Sequence, residues 1–130
     1  MRGNVLFDLK RYDEALTKYE RAIQLDPHEP TYQRNKGLAL FELAHYDEAL
    51  ASYDQALRLK PNYDRAFYSK GQILSKLKRY DEALAAYVQA STLHPDDADY
   101  QYRVGITLNE LKRYSEALTH FERIMIDHPD

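Results

Sequence analysis

KRYDEAL, residues 10–16, returns unchanged at residues 78–84, as KRYSEAL at 112–118 and as AHYDEAL at 44–50. The four copies start 34 residues apart. The rest of the chain keeps the same interval. Its four glycines are Gly3, Gly37, Gly71 and Gly105, and four of its five prolines are Pro27, Pro61, Pro95 and Pro129. Leu9, Leu43, Leu77 and Leu111 form another column, followed by Ala15, Ala49, Ala83 and Ala117 and by the aromatic Tyr19, Tyr53, Tyr87 and Phe121. No insertion breaks the register. The chain is an internal repeat, with a period of the length that builds solenoids and arrays.

One period, Pro30 to Tyr63, divides into two helical patterns. Gly37, Leu40 and Leu43 lay an inward stripe along the first. Ala49, Tyr53, Ala56 and Leu59, at i, i+4, i+7 and i+10, do so along the second. Asp47 and Glu48 open the second helix, where carboxylates suit the exposed amides and the positive end of the dipole. Pro61 closes it by removing an amide and fixing φ. Only a few residues around Ala44–Tyr46 separate the two, so they are predicted to fold back as an antiparallel hairpin. The small Gly and Ala columns let the backbones approach, with tyrosines wedged between helices. Gly71 is expected to face the second helix of its hairpin near Ala83. Seven of the twelve tyrosines fall in the two periodic columns, which assigns them to structure.

Composition excludes several function classes. The chain has no cysteine, hence no disulfide, thiolate metal site or cysteine nucleophile. A reducing, cytoplasmic compartment is the expectation that follows. Eighteen basic and 21 acidic residues are interspersed, with a net charge of −3, and leave no basic footprint for nucleic acid. No apolar run approaches the ~20 residues of a membrane span. There is no HExxH, no GxSxG and no glycine-rich phosphate loop. His94 and His128 share one repeat position before the proline, which suits a polar loop better than a metal. The sequence predicts no enzyme, no cofactor and no metal site.

The repeat resembles the tetratricopeptide repeat (TPR) family over the whole chain. The matching letters are GLAL and GQIL around the glycine, then ALASY, ALAAY and ALTHF, then the proline. The family's Trp position holds Gln33, Phe67 and Gln101, its Leu position Arg2, Lys36, Lys70 and Val104, and its Tyr position Leu6, Leu40, Leu74 and Leu108. The resemblance implies an all-α, right-handed superhelical solenoid of antiparallel helix-turn-helix hairpins, with repeats at about 1–29, 30–63, 64–97 and 98–130. The first repeat would lack its opening five residues, so the sequence is expected to be a segment of a longer protein.

The resemblance also implies a concave groove, lined by the first helices, that takes a peptide or a partner protein. Carried over by position, the candidate binding residues are Asn4, Phe7, Arg34, Asn35, Leu38, Phe41, Arg65, Tyr68, Gln72, Tyr102 and Ile106. They vary between repeats while the core columns do not. Their aromatic side chains have no evident core role, and Arg34 and Arg65 are fork-shaped donors for carboxylates or carbonyls. Against the family's carboxylate-gripping pattern, Asn4 and Asn35 match, Arg65 replaces a Lys, and Ser69 stands where an Arg belongs. The alternative reading is a structural or targeting arm of a larger enzyme or assembly, with no ligand in this segment.

The last repeat departs from the others at one place. The second helices end in AIQL, ALRL, ASTL and IMID, at residues 22–25, 56–59, 90–93 and 124–127. Ile124, Met125 and Ile126 form an apolar cluster that is expected to seek cover, from a further helix in a longer protein or by end-to-end self-association.

Overall fold

The computed structural model describes the backbone of residues 3–128 and the side chains of residues 11–128. Among the described residues there are seven α-helices and no strand: α1 (Gly3–Leu25), α2 (Pro30–Glu42), α3 (Tyr46–Leu59), α4 (Asp64–Lys76), α5 (Tyr80–Leu93), α6 (Ala98–Glu110) and α7 (Tyr114–Asp127). The chain divides into two compact units, Met1–Ala66 and Phe67–Asp130. In the first, α1 packs on α2 and α2 on α3; in the second, α5 packs on α6 and α6 on α7.

The corners between helices are made without glycine. Ala44, Lys78 and Lys112 take left-handed backbone conformations, with φ of 62°, 61° and 63°. Each closes the preceding helix by the same pair of bonds. After α4 the Lys78 amide donates to the Ser75 carbonyl at 3.0 Å, and the Arg79 amide reaches back to the Leu74 carbonyl at 2.8 Å. These are the two bonds of a Schellman cap, which satisfy carbonyls the helix end leaves free. The next residue starts the following helix, and its side chain turns forward onto the acid three positions on. Arg79 forks onto Glu82 with two 2.8 Å bonds, and Arg113 onto Glu116 at 3.0 and 2.7 Å. Around Lys78 and Lys112 this stretch therefore forms a left-handed corner and an ion-paired helix start. The longer connections use side-chain caps. The Asp97 carboxylate accepts from the amides of Asp99 and Tyr100 at 3.0 and 3.2 Å, and Glu29 accepts from Thr31 ahead of Pro30.

The first repeat breaks the expectation of a hairpin. Leu9–Leu16 reads LKRYDEAL, as does Leu77–Leu84, yet α1 runs through this stretch without a corner. Local preference is identical, so packing decides. A corner there would need a left-handed non-glycine residue, at roughly 1–2 kcal/mol. The straight helix keeps its own hydrogen bonds instead.

Within each unit the core forms where the small column meets the aromatic one. Gly37 lies against Tyr53, and Gly71 against Tyr87. A Cβ added to Gly71 would sit 2.6 Å from the Tyr87 ring, so this glycine faces the second helix of its hairpin, with Tyr87 the nearest side chain. Leu40, Ala49 and Tyr53 are buried in the first unit, where Ala56 packs with Tyr63 and Ala66. Ile73, Leu74, Ala83, Tyr87, Ala90, Val104 and Leu108 are buried in the second.

Candidate binding surface

The hairpin geometry turns one side of each first helix toward its partner and leaves the positions between partly open. In the first unit, Arg34, Asn35, Leu38 and Phe41 follow one another along α2 at helical spacing, and all are half-buried. The Arg34 Nε is buried and makes no hydrogen bond. Phe41 rests on Tyr46, with ring centroids 5.7 Å apart. Arg65 stands exposed in the first turn of α4. Asn4 and Phe7 lie outside the described side chains.

In the second unit Tyr68 and Gln72 are one turn apart on α4, and Tyr102 and Ile106 one turn apart on α6. Three of them are half-buried, whereas Tyr102 is 51% exposed. The aromatic members are not free of packing duties, contrary to the sequence reading. Tyr68 stacks obliquely on Tyr87 and Tyr100, at 5.8 and 5.3 Å between centroids, and Tyr102 on Phe121 at 5.8 Å.

Sequence reasoning also missed the polar centre of this surface. Arg103 holds its guanidinium over the Tyr68 ring, 5.8 Å from the centroid, with its Nε 3.9 Å from the Asp99 carboxylate. Burial first, and the neighbouring Asp99 carboxylate second, raise the Tyr68 pKa. Burial works against the Arg103 charge, but its surroundings, Tyr68 first, outweigh it and raise its pKa. The Arg103 Nε is buried without a hydrogen bond, and so is the hydroxyl of the fully buried Ser69. The acid–base spacing of Asp99 and Arg103, four apart on one helix, was the available signal. The arrangement joins an aromatic ring and a fixed positive charge, which suits peptide carbonyls or a carboxylate.

Among the described residues no helix is long and apolar enough to cross a membrane, and no three metal-ligating side chains converge. The tetratricopeptide repeat model matches residues 1–64, 34–90 and 68–130. The chain belongs to the TPR family. Among solved structures, this TPR chain is similar to MamA, with a TM-score of 0.85 at 19% identity over 95% of this chain and 67% of that one. It is also similar to YrrB, described as a TPR protein with an unusual peptide-binding site, with a TM-score of 0.79 at 27% identity over 97% of this chain and 65% of that one. Over 36 residues, 28% of the chain, it is 44% identical to the Hsp70-Hsp90 organising protein of Plasmodium falciparum (isolate 3D7). It spans less than two thirds of YrrB, and the match takes in 6% of the organising protein.

Proposed function

We propose that this TPR chain is a protein-interaction scaffold, without catalytic turnover, that binds a peptide or partner protein along the first helices of its repeats. The observation that carries the proposal is the Tyr68–Asp99–Arg103 cluster. There a half-buried guanidinium lies on a tyrosine ring, one position along α6 from the exposed Tyr102. Arg34 places a second half-buried arginine on α2 of the first unit. Family membership and the peptide-binding description of YrrB support the same reading. The aromatic contacts favour a second reading, a structural arm without ligand, because Phe41, Tyr68 and Tyr102 all have packing partners.

A random peptide library displayed on phage separates the two. Selected peptides should bind the wild-type chain and lose at least ~10-fold with Arg103→Gln or Arg34→Gln, while the urea midpoint stays put. Comparing free and amidated C-termini tells a carboxylate from a carbonyl ligand. If no peptide is enriched, or affinity survives both substitutions together, the surface has been misassigned.

A further inference from the structure

The outward stripe of α7 is bare. Tyr114 and Leu118 are each 61% exposed, Met125 is 70% exposed, and Ile126, beside it, is 78% exposed. On α5 the corresponding residues are Tyr80, Leu84 and Ser91, which are half-buried or buried, and α6 packs along that helix. The bare stripe is thus the counterpart of a surface that a neighbouring helix covers one repeat earlier.

Two substitutions set this face apart from its inner counterparts. Ala56 is fully buried against Tyr63 and Ala66, the residues that begin the following repeat, and Ala90 is equally buried. Their counterpart is Ile124, whose bulkier side chain occupies the space alanine leaves for that approach. Ile126 stands where Gln24, Arg58 and Thr92 are exposed and polar. In the inner repeats, therefore, neighbouring helices do not bury this position, and an isoleucine there serves something else.

We propose that this face pairs with the same face of a second copy, α7 on α7, about a two-fold axis. Tyr114, Leu118 and Met125 share one side of α7 at i, i+4 and i+11, while Phe121 between them packs on Gly105 and Tyr102 of α6. The four exposed side chains present on the order of 500 Å², so pairing buries about 1,000 Å² over both copies, the lower end for a specific interface. The patch carries no one-sided charge: Arg113 is paired with Glu116, and Glu122 and Arg123 flank the stripe with opposite signs. A self-complementary patch of this kind closes on itself and leaves no open end.

Sedimentation of the 130-residue chain from low to high concentration tests the pairing. Dimers are expected, with the association constant of Leu118→Lys/Met125→Lys reduced at least ~10-fold and the helical circular dichroism unchanged. Because the chain has no cysteine of its own, Leu118→Cys/Met125→Cys should crosslink into a covalent dimer on mild oxidation, whichever way the two helices run. A chain that stays monomeric throughout overturns the proposal. So does association that survives the lysine pair, growth into open-ended species rather than dimers, or a cysteine variant that dimerises in solution but never crosslinks.

Discussion

Gly71→Ala sets helix propensity against packing at a site where their signs differ. Replacing glycine inside a helix stabilises by up to ~1 kcal/mol when the new methyl has room. Here the methyl would lie 2.6, 2.8 and 2.9 Å from Cε1, Cδ1 and Cζ of Tyr87. Ordinary carbon contacts are about 3.5–4.0 Å, so the ring must retreat by roughly 1 Å. It has little freedom to do so, being 2% exposed and stacked on Tyr68. Overpacking of this kind costs about 1–3 kcal/mol, which exceeds the propensity gain and leaves a net loss near 1 kcal/mol. With a urea slope of about 1–3 kcal/mol/M, the midpoint should fall by roughly 0.3–1 M. The same substitution in a Tyr87→Leu background should reverse sign, because the ring that obstructs the methyl is gone. A higher midpoint for Gly71→Ala in the wild-type background, or an equal fall in both backgrounds, would refute the close-approach account.

Three further outcomes follow from the caps and from one histidine. Asp97→Ala should cost about 1 kcal/mol in chemical denaturation, and Asp97→Asn much less, because the capping bonds need only an acceptor. Lys78→Gly should stabilise by up to ~1 kcal/mol, since glycine relieves the left-handed penalty at a small entropic cost; a fall in midpoint there would mean that the lysine side chain matters more than its backbone. His120 has its pKa lowered, by burial first and Arg123 second, with the Gln101 carbonyl opposing in part. The unfolded chain then binds the proton more readily than the folded one. Stability should therefore decline as pH drops below the ordinary histidine range toward the depressed value, and His120→Gln should flatten the urea midpoint between pH 7.5 and 5.5.

The hairpins were legible because Gly37 and Tyr53, or Gly71 and Tyr87, solve one packing problem at one interval. The same glycines were a poor guide to the corners. Glycine normally marks a left-handed helix end, but here it lies mid-helix under a ring, and alanine and lysine take the left-handed positions. The candidate residues on α2, α4 and α6 were placed on partly exposed helix positions as the period requires. Arg103 lies in the same column as the candidate Asn35 and as Ser69, so the period itself could have singled it out. The packing of Tyr68 on Tyr87 and Tyr100 joins three helices, which no local pattern reports.

LKRYDEAL exists in one molecule both as an unbroken helix in α1 and around the Lys78 corner. The two shapes of that peptide must then differ by no more than one helix's packing supplies. Were the Lys78 corner to straighten, residues 64–93 would become a single rod about 45 Å long at 1.5 Å per residue. Gly71 and Tyr87 would part, and the open Gly71 groove would accept the Tyr87 ring of another chain opened in the same way. That is an exchange of hairpin halves between copies that keeps the helix-to-helix packing and gives up the corner's own bonds. The left-handed residue at the corner is thus the hinge pin of a potential swap, and the closing of each hairpin within its own chain depends on it.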